Sequence, residues 1–288
     1  MPLDTQPAPI FFGHHKAATS WVIKILSDLG HLNGFHVESL DTAADLRNAL
    51  PRQAQPKSFL AFRNADPLAL DSLEPFLGFH LVRDPRDIAV SSYFSHLHSH
   101  PTENWPELAE HKRRLADLDF AEGLLCDMEF CRDLPTRGHN VAPYRSMAEW
   151  DYNRHDILEM RYEELIKNPY DAMLKALEFL QLLAPDELGG ASLARHLQSI
   201  LTRRFLRPLS PGLPQLRAWN ILAAVYDNRY DKKTAGRARG TEDRTSHYRK
   251  GVAGDWRNYF QEQHQERFNE LYGDVLVRLG YESSSNWL

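Results

Sequence analysis

The chain has 288 residues, of which 42% are hydrophobic and 25% charged, and its formal net charge is -5. That balance describes an ordinary globular protein and argues against a disordered chain or a general nucleic-acid binder. No apolar run approaches the ~18 residues of a spanning helix, and MPLDTQPAP lacks the basic and hydrophobic blocks of a leader. No transmembrane segment is therefore expected, and the default address is cytoplasmic. The cysteines, Cys126 and Cys131, match no CxxC spacing and read as free thiols in a reducing compartment.

In chain order, APIFF (8–12) is an apolar run that breaks at Gly13. ATSWVIKILSDLG (18–30) follows, with Trp21, Val22, Ile25, Leu26 and Leu29 at helical spacing. The pattern predicts a strand, a tight turn and a helix ending at Gly30. KSFLAF (57–62) and FLGFHLV (76–82) read as further strands, and RDPRDIAVSSYFSHLHSH (83–100) begins a helix with Pro85 in its tolerant first turn. Residues 103–154 are mostly helical in periodicity, with a Pro/Gly loop at 134–143. DILEMRY (156–162) returns to a strand, and NPYDAMLKALEFLQLL (168–183) is an amphipathic helix. More helix is expected between 185 and 226, and a last helix spans 262–280. Strands alternating with helices predict an α/β fold, one domain over 1–288 with a central parallel sheet flanked by helices. Residues 1–7 are expected to be disordered, and the basic segment 228–248 to be a mobile loop able to clamp an anion.

Three stretches carry chemistry. In GHHKAATS, the strand, turn and helix aim free N–H groups at one point, where the helix dipole favours an anion. An ATPase turn places its lysine directly before Ser/Thr. Here Lys16 precedes Thr19 and Ser20 by three and four residues, which disfavours a nucleoside-triphosphate site. In LVRDPRDIAVSSYFSH, Arg83 ends a strand and Ser91 lies eight residues on, so a guanidinium and a hydroxyl reach toward one anion. Asp84 and Asp87 read as helix N-terminal carboxylates, with Arg86 beside them. In HYRKGVAGDWRNYF (247–260), Arg249 and Lys250 precede Gly251, which lets backbone approach a phosphate, while Asp255 and Trp256 read as local folding residues. His96, His98 and His100 read as a helix end and loop, and no metal site is expected.

With MRYEELIKNP (160–169), these stretches resemble, in order and spacing, the PAPS-dependent sulfotransferases, whose soluble members carry PK-S-G-T-T-W, RNPRDVAVSYY and RKG-x-x-GDW. The likeness runs from residue 9 to about 282. It implies transfer of a sulfuryl group from 3′-phosphoadenosine 5′-phosphosulfate (PAPS), leaving PAP. By position, Lys16 contacts the oxygen bridging phosphorus and sulfur, and Thr19 and Ser20 hold the 5′-phosphate in a donor loop that includes His15, Ala17 and Ala18. Trp21, Tyr162 and Tyr230 face the adenine, and Arg83, Ser91, Arg249, Lys250 and Gly251 hold the 3′-phosphate.

The sequence also departs from that family. Its KTH histidine, the base of small-molecule members, is missing from FLAFRNADP (59–67). Arg63 and Asn64 stand there on the acceptor side, and Asp66 is the nearest alternative base, with His14 and His15 as further candidates. Ala18 replaces a family glycine, and Ala17 and Ala18 are expected in the first helical turn, where alanine is harmless. Gln261 and Glu262 occupy the TV positions of the family's KxxxTVxxxE dimer contact, so a monomer, or a dimer without that contact, is expected. Residues 31–50, the FRNAD stretch and helices within 94–154 are expected to wall the acceptor pocket, with Phe35, Phe94, Trp105 and Tyr144 as lining. The acceptor is then expected to be a small molecule, a lipid or a glycan. Two rival readings are a P-loop kinase-like phosphotransferase and a non-catalytic PAP- or PAPS-binding protein.

Overall fold

Five parallel strands, β1 (Ala8–Phe12), β2 (His36–Leu40), β3 (Ser58–Phe62), β4 (Phe76–Val82) and β5 (Ile157–Arg161), form a sheet in the order β2-β3-β1-β4-β5. The computed structural model describes residues 7–50, 58–70, 73, 75–135, 142–184, 213–285 and 287. β1 lies between β3 and β4, so successive crossovers leave it on opposite sides. Open α/β sheets form their clefts at such a reversal, beyond the carboxyl ends of the strands.

All five residues of β1 are buried, as a strand covered on both faces requires. Alternate residues point to opposite faces. Phe11 joins Phe59 and Phe79 in one cluster, covered by α1 (Thr19–Asn33) and by the later helices α8 (Pro169–Phe179) and α9 (Ala218–Asp227). Its ring stacks on Phe79 at 4.8 Å. Ile10 and Phe12 face the other way, with Leu60, Phe62 and Trp150. A third cluster begins at Val82 and binds α3 (Pro85–Phe94), α5 (Phe120–Asp133), α6 (Pro143–Glu149) and α11 (Glu262–Arg278) together. The remaining helices among the described residues are α2 (Ala43–Ala49), α4 (Pro106–Ala116), α7 (Tyr162–Lys167) and the single turn α10 (Tyr230–Lys233).

Several boundaries differ from the periodicity reading. α1 passes Gly30 and ends at Asn33, because Gly34 takes the left-handed conformation (φ 80°) and donates its N–H to the Gly30 carbonyl. Gly30 is instead a contact glycine: a Cβ there would lie 2.7 Å from the Phe35 carbonyl oxygen. β2 and α2 had no apolar run to announce them. β2 is a sheet-edge strand buried only at Leu40, and α2 is fixed by a capping box between Thr42 and Asp45. After Phe94 the chain widens into a π-helical turn, Ser95–Ser99.

The segment expected to be a mobile loop, 228–248, contains α10 and is stitched to the strand of chain that follows it. Arg237 donates through Nη1 to the Arg249 carbonyl (2.7 Å) and through Nη2 to the Tyr248 carbonyl (2.6 Å), and the Gly240 N–H reaches the Lys250 carbonyl. The expectations for residues 1–7, for the loop 134–143 and for helix from 185 onward extend outside the described residues.

Candidate functional site

Glycine 13 makes the first turn possible: a Cβ at this position would stand 2.5 Å from Thr19 Oγ1. Thr19 Oγ1 donates to the His14 carbonyl (2.7 Å), which closes the turn from the helix side. Lys16 (φ 61°) and Ala18 (φ 62°) are both left-handed, and the helix begins only at Thr19. The expected helical placement of Ala18 is thus incorrect. The conformation is held from outside the turn, since Arg83 Nη1 donates to the Lys16 carbonyl (3.0 Å) while the Ala18 carbonyl accepts from the N–H groups of Trp21 and Val22.

Beyond this turn opens a cavity of about 310 Å³. Of the donor residues named from sequence, Ala17 alone is outside its lining, being fully buried. His15, Lys16, Ala18, Thr19, Ser20 and Trp21 reach it from the turn, and Arg83, Ser91 and Tyr162 from the ends of β4, α3 and β5. Tyr230, Arg249, Lys250 and Gly251 arrive from the C-terminal third. Arg83 is buried, lies 4.4 Å over the Tyr162 ring and pairs distantly with Asp87 (3.9 Å), yet its Nε has no partner. A buried donor without a protein partner keeps hydrogen-bonding capacity to spare.

Arg249 and Lys250 share one carboxylate: Arg249 Nη2 and Lys250 Nζ each reach Asp255 at 2.6 Å, and Arg249 Nη1 also reaches Glu242. Gly251 has φ 69°, and a Cβ there would lie 2.6 Å from the Tyr230 ring. Both constraints demand glycine. The Tyr230 hydroxyl donates to the Tyr248 carbonyl (3.1 Å), and Trp21 Nε1 donates to the Asn228 carbonyl (2.7 Å), so both aromatic walls are fixed. Burial, followed by the charges of Arg83 and Arg249, pushes the Lys16 pKa down to about 7. An anion in the cleft reverses those penalties.

The acceptor side differs from expectation. Asp66 does not line the cavity: its Oδ1 accepts the Leu68 N–H (3.0 Å) and caps a 3₁₀ turn, so it has a folding role. Phe94, Trp105 and Tyr144 are core residues and Phe35 packs against the sheet's first cluster, and none lines the cavity. Arg63 and Asn64 do, with Ser95, Ser99, His100 and His247. The π turn after α3 supplies the two serines. Among the described residues this end is therefore polar and basic.

Both histidines of GHHK line the cavity, and each leads into a buried network that the linear sequence did not reveal. The His15 ring stacks on His96 at 5.3 Å, and its Nε2 has no partner. His96 Nδ1 and His111 Nε2 meet Asp127 Oδ1 at 2.7 and 2.9 Å. His96, Asp127 and Cys131 also bring possible ligand atoms within 4.8 Å of one another, a grouping for which the sequence offered no metal spacing. Here His96 Nδ1 and Asp127 Oδ1 serve the hydrogen bonds just described, and the Cys131 thiol lies 4.0 Å from Asp127 Oδ2. His14 Nε2 lies 2.7 Å from His80 Nε2, and His80 Nδ1 lies 2.7 Å from Glu159 Oε2. Burial, then the neighbouring His80, holds the His14 pKa well below the ordinary histidine value. The available signal for His80 was a histidine inside the apolar run FLGFHLV.

An open parallel α/β sheet thus carries a cationic cleft at the ends of β1 and β4, with Lys16 displaced from the ATPase lysine position. Residues 79–201 match the model of the sulfotransferase domain. Human Sulfotransferase 2A1 is 23% identical over 237 residues, which cover 80% of this chain and 62% of that relative, so the match spans less than two thirds of its length. Mouse sulfotransferase SULT7A1, solved in complex with PAP, shares the fold with a TM-score of 0.54 at 16% identity, covering 98% of this chain and 90% of that one. The domain model matches less than half of the chain, the human relative is a distant likeness, and the mouse structure shows a shared fold.

Proposed function

We propose that the cleft binds PAPS and transfers its sulfuryl group to a hydroxyl or amine of a small polar acceptor. The observation that carries this reading is the convergence of the Lys16 turn, Arg83 and the Arg249–Gly251 segment on one cavity, with Arg83 Nε unpartnered at its wall. Sulfuryl transfer proceeds through a loose, in-line displacement and needs mainly positioning and stabilisation of charge on the departing oxygen. Lys16 supplies that charge, and the N–H groups of α1 with Thr19 and Ser20 hold the 5′-phosphate. Tyr162, Tyr230 and Trp21 suit the adenine. Arg83, Ser91, Arg249 and Lys250 suit a 3′-phosphate that ATP lacks, at roughly 1.5–3 kcal/mol for each charge-assisted contact. A kinase-like reading fits the lysine position less well, and a non-catalytic PAP binder leaves Lys16 without a task.

The polar acceptor end favours a glycan or another hydroxylated small molecule over a lipid, because an apolar acceptor would set its surface against the hydroxyls of Ser95 and Ser99 and the rings of His100 and His247. The two free cysteines suit a reducing compartment, and a cytoplasmic place of action belongs to the same reading. Titration calorimetry with PAP and AMP tests the donor site. The parent should prefer PAP, and Arg83→Ala should lose about 10- to 100-fold in PAP affinity and less in AMP affinity, so that the preference shrinks. Equal affinities for PAP and AMP in the parent would remove the 3′-phosphate site. A PAPS-dependent transfer assay over hydroxylated acceptors then tests the reaction.

A further inference from the structure

The sheet itself wires His14 to the far strand. Phe12 pairs with His80 between β1 and β4, and His80 pairs with Glu159 between β4 and β5. His14, two residues past Phe12, thereby meets His80 at 2.7 Å, and His80 meets Glu159 at 2.7 Å. Trp150 stacks on the His80 ring at 4.0 Å and donates its Nε1–H to the other Glu159 oxygen at 2.8 Å, so the carboxylate and the imidazole are both oriented. His14 and His80 are fully or almost fully buried, whereas the Glu159 side chain is 27% exposed. The chain of contacts runs from the cavity to solvent.

We infer that His14, His80 and Glu159 form a proton relay for the acceptor, with His14 as the catalytic base and His80 and Glu159 as positioning residues. The inference rests on the sulfuryl-transfer reading above. Because His14 Nε2 is occupied by His80, Nδ1 is the nitrogen left for the cavity. As the acceptor oxygen bonds to sulfur, the bond from sulfur to the bridging oxygen breaks and its electron pair leaves with PAP. The acceptor proton passes to His14 Nδ1, the His14 Nε2 proton moves to His80 Nε2, and the His80 Nδ1 proton moves to Glu159. The Gly13 N–H donates to the Phe62 carbonyl (2.9 Å) and its carbonyl accepts from the Ala65 N–H (2.8 Å), which fixes His14 beside Arg63 and Asn64 on the acceptor side.

The titratable and charged groups around His14 come from every neighbouring element: His80 from β4, Glu159 from β5, Tyr152 from the segment before β5, Arg63 from the turn after β3, and His15 and Lys16 from its own turn. Burial, then His80, keeps His14 neutral near pH 7, the form a base requires. His15 is less suited, because it stacks on His96 and its Nε2 meets no partner that would fix its tautomer.

Two measurements test the relay. Imidazole ¹⁵N spectra near neutral pH should show His14 protonated at Nε2 and bare at Nδ1, and His80 protonated at Nδ1 and bare at Nε2. In the transfer assay, His14→Ala should lower kcat about 10²- to 10⁴-fold. Glu159→Gln, which keeps shape and removes charge, should lower kcat at least about tenfold and move the acid limb of the pH–rate profile to lower pH. Both variants should bind PAP as the parent does. The opposite tautomer at His14, parental kcat and pH profile in Glu159→Gln, or loss of PAP binding in either variant would each overturn the relay. A parent that binds no PAP and moves no sulfuryl group would instead overturn the reading on which it rests.

Discussion

Lys16 and Ala18 hold left-handed backbone conformations that cost an L-residue about 1–2 kcal/mol each and that glycine takes freely. Such strain persists where surrounding contacts over-determine it. Here the Arg83 hydrogen bond to the Lys16 carbonyl and the bonds from Trp21 and Val22 to the Ala18 carbonyl do so. Substituting Ala18→Gly relieves one strained residue at an entropic cost of about 0.4–1 kcal/mol. The expected net gain is about 0.5 kcal/mol in unfolding free energy, read from the denaturant midpoint; a loss would mean that the Ala18 methyl matters more to the core than its backbone strain does. The residue also shows where sequence reasoning stops. Two alanines before a helix carry high helical propensity, and nothing in their spacing reports an arginine from β4 that holds the turn open.

At the scale of elements, the start of α3 and the GDW segment form one mechanical unit joined across most of the chain. Asp87 accepts the N–H groups of Gly254 (2.7 Å) and Trp256 (2.9 Å), while Arg86 lies 4.1 Å over the Trp256 ring and pairs with Asp84. Asp87→Ala strands two backbone donors and should cost roughly 2–3 kcal/mol of stability. It should also weaken PAP binding, since Arg249 and Lys250 lead directly into that segment; melting and calorimetry read the two effects, and an unchanged PAP affinity would show that the segment keeps its shape alone. β1, β3 and β4 were legible because buried parallel strands are apolar runs between breakers, the edge strand β5 was legible from Ile157, Leu158 and Met160, and the helix N-terminal reading of Asp84 was sound as well. β2 was not legible: HVESL is an edge strand with one buried residue, and its pairing with β3 decides its conformation. Asp87 was read only locally, since its partners are far away in sequence.

Taken whole, the molecule is acidic, with a net charge of -5, yet Lys16, Arg63, Arg83, Arg239, Arg249 and Lys250 all line one cavity. The donor end was visible in the sequence because each motif carries its own cations. The acceptor end was not, because Arg63, Ser95, Ser99 and His247 meet only once the sheet and the π turn are built. This concentration of charge has a pH signature. The Lys16 pKa falls from 10.5 to about 7 on folding, so between those values the unfolded chain binds more protons and stability rises with pH as far as Lys16 contributes. PAP, as an anion, should restore the proton. Binding above pH 7 should therefore take up a proton, measured by calorimetry in buffers of different ionisation enthalpy, and Lys16→Met should abolish that uptake; proton release in the parent would contradict the assignment.

One contact gives the site a particular history. Arg83 both lines the cavity and holds the Lys16 carbonyl through Nη1. The group that suits one end of the donor is thus also the latch on the turn that handles the other end. Changes at these two positions cannot be inherited as independent steps: the effect of altering either depends on which residue the other already holds. A lineage drifting toward a donor without a 3′-phosphate would lose, with Arg83, the geometry of its lysine as well.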